Sequence, residues 1–211
     1  MTGKFITFEG IDGSGKTTQI DLLETELKLH GISTLILREP GGTRLSEKIR
    51  SILLNRENMN LSPLSESLLF VSARAQLMEE KIQPALKSGQ YVICDRFTDS
   101  TVAYQGYGRG LNVEFLEKLN NFATDSIQPD LTIILNVDPE QAALRMQADI
   151  PDRMESTGID FFLRIQEGYY EIAHRYPLRC VIIDGAQSED EVFHSIMNEV
   201  NNKLIKEVSC N

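Results

Sequence analysis

The chain has 211 residues, of which 41% are hydrophobic and 25% charged, and this composition suits one domain of ordinary make-up. Its formal net charge of -10, from 31 acidic and 21 basic residues, disfavours a nucleic-acid partner, because a polyanion would be repelled. No apolar run reaches the roughly 18 residues of a membrane span, and no signal peptide or disulfide framework is indicated, so we predict a cytoplasmic protein without a membrane segment.

Five short apolar runs rich in β-branched residues predict a sheet. They are Phe5 to Phe8, Thr34 to Leu37, Tyr91 to Cys94, Leu131 to Val137 and Cys180 to Ile183. None alternates with polar residues as a half-exposed strand would, so all five are predicted to be buried and parallel. Segments with helical spacing, such as Leu64 to Leu86, lie between them. The pattern predicts one α/β domain over residues 1–211, with helices on both faces of a five-stranded parallel sheet.

A phosphate-binding motif directly follows the first predicted strand. Gly10-Ile11-Asp12-Gly13-Ser14-Gly15-Lys16-Thr17 matches G-x-x-x-x-G-K-[ST] at every position, between a strand and a helix. The glycines let backbone N–H groups face the phosphates of a nucleoside triphosphate, which Lys16 is expected to contact in catalysis. The Thr17 hydroxyl is expected to bind Mg²⁺. The alternative is a glycine-rich turn, but the complete match favours the three-layer fold of P-loop NTPases.

The second and third predicted strands also end in polar residues. Asp95 and Arg96 follow the third strand, at the sheet edge where the phosphate loop must lie. We predict that Asp95 holds Mg²⁺ or its waters and that Arg96 clamps a transferring phosphoryl group, although a surface ion pair would also explain them. The segment Arg38 to Thr43 follows the second strand at the same edge. No N-K-x-D tetrapeptide occurs, which disfavours a regulatory GTPase.

A nucleoside pocket is suggested by two residue pairs with helical spacing. Phe70 and Arg74 lie four residues apart, which places an aromatic ring beside a guanidinium group, although Phe70 could equally belong to the core. Thr101 and Gln105, also four apart, offer a hydroxyl and a carboxamide that could read a base edge. A further segment, about 148–160, lacks apolar periodicity and is predicted to be a short lid.

These blocks together resemble the thymidylate kinase family, whose members are nucleoside monophosphate kinases that make dTDP from dTMP and ATP. The resemblance rests on Phe8 to Gln19, Arg38 to Thr43, Ala73 to Gln76, Asp95 to Gly110 and Asp152 to Arg164, in the family's order and across nearly the whole chain. It implies the fold of a nucleoside monophosphate kinase, with ATP and dTMP as partners and Mg²⁺ as cofactor. It also implies a homodimer, for which the apolar faces of Leu64 to Leu86 and Val113 to Phe122 could supply an interface or could instead be core.

The resemblance further implies roles for single residues in the dTMP pocket. Phe70 would stack on thymine, Thr101 and Gln105 would hydrogen-bond its edge, and Arg74 would also contact the base. Arg96 would bind the acceptor phosphate. The remaining pocket residues implied are Asp12 near the 3′-hydroxyl, Glu39 and Asp95 acting through Mg²⁺ or its waters, and Tyr104 near the 2′ position.

The lid arginine is implied by the bacterial type of the family. Some members carry a catalytic arginine inside the phosphate loop, where this chain has Gly13 and Ser14. The resemblance therefore implies that Arg153 stabilises the transition state and that Arg145 helps to hold ATP. Two alternatives stay open: a kinase for another nucleoside or nucleoside monophosphate, and a non-catalytic ATP-binding module.

Overall fold

The computed structural model describes residues 3–146, 153–154 and 157–205. Its centre is a five-stranded parallel sheet in the order β2-β3-β1-β4-β5. The strands are β1 (Phe5–Glu9), β2 (Thr34–Arg38), β3 (Tyr91–Asp95), β4 (Leu131–Asn136) and β5 (Cys180–Asp184). Every predicted strand is present and differs only by one residue at its carboxyl end. The predicted α/β fold is therefore confirmed.

Helices connect the strands and cover the sheet. They are α1 (Lys16–Leu29), α2 (Arg44–Leu54), α3 (Pro63–Leu77), α4 (Gln83–Lys87), α5 (Thr98–Thr101), α6 (Val113–Ala123), α7 (Pro139–Arg145), α8 (Ile159–Arg175) and α9 (Glu189–Val200). Wider π-helical turns at Met78–Ile82, Val102–Gly108 and Asn201–Ile205 continue α3, α5 and α9. The segment predicted as one helix from Leu64 to Leu86 thus consists of α3, a π-helical turn and α4.

Alternate side chains of the central strands pack on opposite sides of the sheet. On β3, Ile93 packs with the apolar residues of α1 and α9, whereas Val92 and Cys94 pack with those of α3 and α4. A further cluster joins α8 to the π-helical turn Val102–Gly108. Helices therefore cover both faces, which is the arrangement that a parallel sheet requires.

The two edge strands differ from the prediction that all five strands are buried. β1, β3 and β4 are almost wholly buried, but β2 and β5 each leave several side chains partly or fully exposed. Their position explains this, because a strand at the edge of a sheet has a neighbour on one side only. Their apolar composition alone does not distinguish an edge strand from a central one.

The predicted lid lies partly outside the described residues. Of the range 148–160, the structure describes Arg153, Met154 and 157–160, and residues 148–152 and 155–156 are outside it. In the described ranges, no helix combines the length and the apolar character needed to cross a bilayer.

Candidate active site

The phosphate loop connects β1 to α1 and its glycines have conformations that other residues rarely adopt. Gly10, Gly13 and Gly15 have φ angles of 126°, 77° and 93°. A Cβ atom at Gly10 would lie 2.5 Å from the carbonyl oxygen of Leu135, so this position excludes a side chain on steric grounds as well. The loop lies at the carboxyl edge of the sheet, and the backbone N–H groups at the start of α1 make it an anion site.

Lys16 is folded back onto this loop. Its buried ammonium group donates to the carbonyl oxygens of Gly10 at 3.3 Å and Ile11 at 3.0 Å. Burial, with the nearby charge of Arg96, lowers the pKa of Lys16. The ammonium group is thus held at the phosphate loop. Triphosphate oxygens would be stronger acceptors there than these carbonyls, because they are charged.

Arg96 ties the end of β3 to the phosphate loop. Its guanidinium donates to the Gly10 carbonyl and to Asp12 Oδ1, both at 2.8 Å, and its Cζ lies 4.9 Å from the centre of the Tyr104 ring. The Arg96 backbone has φ 71°, a strained conformation that is concentrated at functional sites. Burial opposes ionisation of Asp12, but the charges of Arg96 and Lys16 outweigh it and lower its pKa to about 2. Asp12 and Arg96 therefore form an ion pair that joins the phosphate loop to the end of β3.

Two carboxylates at neighbouring strand ends have an oxygen atom without a partner. Asp95 Oδ1 and Glu39 Oε1 are buried and accept no hydrogen bond from the described part of the chain. The two residues are adjacent, since the Glu39 N–H donates to the Asp95 carbonyl at 2.9 Å. Asp95 and the exposed Thr17 line one cavity. No group of three or more acidic, His or Cys side chains is placed to hold a metal ion within the described ranges.

All the residues predicted to bind the acceptor nucleotide line one cavity. They are Asp12, Glu39, Phe70, Arg74, Arg96, Thr101, Tyr104 and Gln105, and Asp95 lines the cavity with them. They come from the phosphate loop, the ends of β2 and β3, α3, α5 and the π-helical turn after α5. Residues distant in sequence thus converge on one cavity.

Arg74 is almost completely buried in this wall and is fully engaged. Its guanidinium donates to Glu39 Oε2, Thr101 Oγ1, Asn120 Oδ1 and the Phe97 carbonyl, and the shortest contact with Glu39 is 2.6 Å. Burial raises the pKa of Glu39 and the charge of Arg74 opposes that rise. Arg74 therefore organises the pocket, and its donors already have protein partners. The sequence pattern suggested a base contact but gave no sign of this network.

A second buried acid, which sequence reasoning missed, lies under Arg96. Glu9, the last residue of β1, accepts from the Phe97 N–H at 2.8 Å, from Ser100 Oγ and from the Tyr169 hydroxyl at 2.9 Å. Burial, together with the charge of Asp99, raises the pKa of Glu9 to about 7, while its hydrogen bond from Ser100 opposes the rise. Glu9 thereby fixes the loop that carries Arg96. Its position beside the phosphate motif was the signal available in the sequence.

A groove on the other side of the phosphate loop contains Arg145. Its guanidinium donates to the Gly13 carbonyl at 3.3 Å and to the Gly185 carbonyl at 3.1 Å. The groove is also lined by Ser14, Gly15 and Gln187. Arg145 therefore lies beside the phosphate loop, and its expected role in holding ATP stays a prediction.

The structure does not bring Arg153 to the phosphate loop. Its side chain is buried and its guanidinium lies 2.7 Å from Glu66 of α3, with a further hydrogen bond of 2.6 Å to the Leu53 carbonyl. Glu66 also accepts from Gln105 at 2.9 Å and from Arg109 at 3.4 Å. A buried carboxylate thus holds the guanidinium in this arrangement, and the role that the resemblance implies for Arg153 at the transferring phosphoryl group stays a prediction. Glu66 was missed, although it lies four residues before Phe70, on the same face of α3.

Known proteins resemble this chain over nearly its whole length. The profile of the family described as "Thymidylate kinase" matches residues 8–196. A thymidylate kinase of Caldanaerobacter subterraneus subsp. tengcongensis is 49% identical over 97% of this chain and 98% of its own length. One of Thermoanaerobacter sp. is 48% identical over 97% of this chain and all of its own. A crystal structure of the Ehrlichia chaffeensis thymidylate kinase superposes with a TM-score of 0.77 at 37% identity, covering 95% of this chain and 99% of that one.

Proposed function

Because this chain belongs to the thymidylate kinase family and so phosphorylates dTMP to dTDP, we propose which of its residues perform the transfer and what else the reaction needs. The observation that carries the proposal is the single cavity lined by every residue expected to contact dTMP. ATP, the donor used by the family, is assigned to the phosphate loop and the groove of Arg145. The two sites meet at Arg96 and Asp12.

Transfer in this site needs positioning and charge neutralisation more than covalent chemistry. An acceptor phosphate is already anionic and requires no general base, and phosphoryl transfer passes through a loose transition state. Lys16 contacts the outer phosphates of ATP after leaving the loop carbonyls. Arg96 holds the phosphate of dTMP, with its orientation fixed by Asp12 and, through the loop, by Glu9. Catalysis thus consists of bringing two anions together against their repulsion.

Mg²⁺ is proposed as the cofactor, held by Thr17 and Asp95 directly or through water. The unpartnered, buried Asp95 oxygen and the exposed Thr17 hydroxyl fit a hard cation that prefers oxygen ligands. The free Glu39 oxygen fits an outer contact with its waters. When bound, the ion neutralises phosphate charge. We expect Asp95→Asn to raise the Mg²⁺ concentration needed for half-maximal rate, and an unchanged requirement would remove Asp95 from the metal site.

In the acceptor pocket, Phe70 is proposed to stack on the thymine ring, and Thr101 and Gln105 to hydrogen-bond its edge. Arg74 is proposed to contact the base. It also supports the base site indirectly, because its guanidinium already holds Glu39, Thr101 and Asn120. Asp12 is proposed to approach the 3′-hydroxyl. Tyr104, whose hydroxyl is buried without a partner in the described chain, is proposed to lie near the 2′ position.

Arg153 is proposed to add positive charge to the transferring phosphoryl group only if it first leaves Glu66. In the observed arrangement its ion pair with Glu66 holds it inside the protein. Arg153→Ala should then lower kcat by orders of magnitude without abolishing dTMP binding. A variant with unchanged kcat would leave Lys16, Arg96 and Arg145 as the cations that act on phosphate.

A homodimer and a cytoplasmic location complete the proposal. Three helices that pack side by side, α2, α3 and α6, each carry exposed large apolar residues. These residues are Leu45, Ile52, Leu64, Leu68, Phe115 and Phe122. Such a surface is typical of subunit contacts. Cys94 and Cys180 are buried free thiols, which is consistent with a reducing compartment.

The test is an ADP-release assay with ATP, Mg²⁺ and a panel of nucleoside monophosphates. We expect turnover with dTMP and much slower turnover with AMP, CMP and GMP. Arg96→Lys, which replaces a forked donor by a point charge, should raise the KM for dTMP, whereas Arg175→Lys on the surface of α8 should not. Equal turnover with several monophosphates would favour the alternative of a kinase with another acceptor. Binding of ATP without any turnover would favour a non-catalytic module.

A further inference from the structure

The two residues proposed to read the base are each hydrogen-bonded to a charged side chain. Thr101 Oγ1 lies 2.9 Å from Arg74 Nη1, and Gln105 Nε2 lies 2.9 Å from Glu66 Oε1. Both readers are about 1% exposed, so neither can turn freely. The chemistry of the partners therefore determines what each reader can offer to a ligand.

Arg74 makes Thr101 a donor toward the cavity. A guanidinium has donors only, so the Thr101 oxygen must act as its acceptor. The hydroxyl hydrogen does not take part in this contact and can be directed to a ligand. Arg74 itself is fixed by Glu39 and Asn120, at 2.6 Å from each.

Glu66 makes Gln105 an acceptor toward the cavity. Glu66 is 1% exposed and faces two guanidinium groups, those of Arg153 at 2.7 Å and Arg109 at 3.4 Å. An ionised carboxylate only accepts hydrogen bonds, so the Gln105 amide must present its NH₂ group to Glu66. The carbonyl oxygen of the amide is then on the opposite side. If Arg153 moves during turnover, Arg109 still faces the carboxylate.

We propose that Glu66 is a positioning residue that fixes the order of donor and acceptor in the base site and thereby selects thymine over cytosine. The inference rests on the proposed function, in which this cavity holds the base of dTMP. Thymine presents a carbonyl acceptor at C4 beside an N–H donor at N3, which matches a donor from Thr101 and an acceptor from Gln105. Cytosine presents an amino donor and an unprotonated N3, the reverse order.

A mismatch of this kind is costly in a buried site. With cytosine, the Gln105 oxygen would face the N3 lone pair, and the Thr101 hydroxyl would face an amino group. Both readers would be left without partners or would have to break their contacts with charged residues. Sites that use buried polar groups in this way reject the wrong ligand more strongly than apolar pockets do. The same order of donor and acceptor admits uracil, so dUMP should be accepted better than dCMP.

The test compares kcat/KM for dTMP and dCMP in wild type and Glu66→Gln. The neutral amide introduced by this change can donate or accept, so the side-chain amide of Gln105 can adopt either orientation. We expect the dTMP to dCMP ratio to fall at least tenfold, through a higher KM for dTMP and a lower KM for dCMP, with the KM for ATP unchanged.

The matched control is Glu117→Gln, the same change at a residue of α6 that pairs with Arg175 at 2.7 Å and does not line the base cavity. It should leave the ratio unchanged. If Glu66→Gln behaves like this control, Glu66 is only structural and the inference is wrong. Glu66→Asp is the second variant, in case Glu66→Gln does not fold. It keeps the negative charge that faces the two arginines, but its shorter side chain moves the carboxylate away from Gln105. This variant should also lower the ratio, and an unchanged ratio would overturn the inference.

Gln105→Met separates failure of the inference from failure of the proposed function. It removes the acceptor with little change in volume, so it must lower the ratio if this cavity reads the base. A lower ratio in Gln105→Met with an unchanged ratio in Glu66→Gln would retain the cavity and reject the role of Glu66. An unchanged ratio in both variants would reject the base site itself.

Discussion

Arg153 makes a contact that its local sequence does not indicate. The resemblance assigned it to the transferring phosphate, whereas the structure pairs it with Glu66 inside the protein. An ion pair between two side chains that are each nearly inaccessible to water cannot be inferred from local sequence. Its energetics differ from those of a surface pair, because removing one partner leaves an uncompensated buried charge.

We predict that Arg153→Ala lowers the free energy of unfolding by about 3 kcal/mol, because Glu66 then has the more distant Arg109 as its remaining cationic partner among the described residues. Urea denaturation measures the change. Arg175→Ala is the matched control, since Arg175 pairs with Glu117 on the surface and should cost less than about 1 kcal/mol. If Arg153→Ala is as stable as wild type, the ion pair contributes little.

Glu9 gives a second prediction at this scale, on the dependence of stability on pH. Burial and the charge of Asp99 raise its pKa from 4.5 to about 7 in the folded chain. Between these values the folded state binds more protons than the unfolded state, so the contribution of Glu9 to stability falls as pH rises. We expect Glu9→Gln to gain about 3 kcal/mol of unfolding free energy relative to wild type as the pH rises from 4.5 to above 7.

Denaturation of both proteins over a pH series provides the measurement. The stability contributions of the other titrating groups are common to both proteins and cancel in the difference. The glutamine side chain can still accept from Phe97 and donate toward Ser100 or Tyr169, so the variant tests charge with little change of shape. A difference that does not vary with pH would mean that Glu9 titrates near its ordinary pKa.

Among the elements, the π-helical turn Val102–Gly108 is one that the sequence did not indicate. Its wider turn is seen in the hydrogen bond from the Arg109 N–H to the Tyr104 carbonyl, at 2.9 Å. Such turns occur often at functional sites, and this one carries both Tyr104 and Gln105. The turn is held by α8, which packs closely against it through Gly168.

We predict that Gly168→Ala destabilises the protein, although alanine is the better helix former by about 1 kcal/mol. A Cβ atom at this position would lie 2.8 Å from the Tyr107 ring, and overpacking typically costs about 1–3 kcal/mol. The two effects oppose each other, and thermal unfolding reports their sum. Glu167→Ala, an exposed change in the same helix, should be nearly neutral. A higher Tm for Gly168→Ala would show that α8 can move away from the turn.

Across the whole molecule, the features that could be predicted from sequence are those encoded by short-range pattern. The strands, most helices and the phosphate loop follow from apolar runs, helical spacing and one motif. The exposure of β2 and β5, the network of Arg74 and the partner of Arg153 depend on contacts between distant segments, such as the 35 residues that separate Arg74 from Glu39. The resemblance grouped the residues that line the proposed acceptor cavity, because it supplied those long-range relations.

The last prediction concerns the assembly. Leu64 and Leu68 are 48% and 47% exposed on α3, and Phe122 is 89% exposed on α6, which packs against α3. Sequence periodicity left open whether these apolar faces are core or interface, and their exposure favours the interface. We expect wild type to sediment as a dimer and Leu68→Glu to be monomeric, because the change places a charge in the apolar contact without altering the core. Leu178→Glu, at a residue 91% exposed outside these helices, should remain dimeric. Monomeric wild type, or a dimer in both variants, would exclude this surface as the interface.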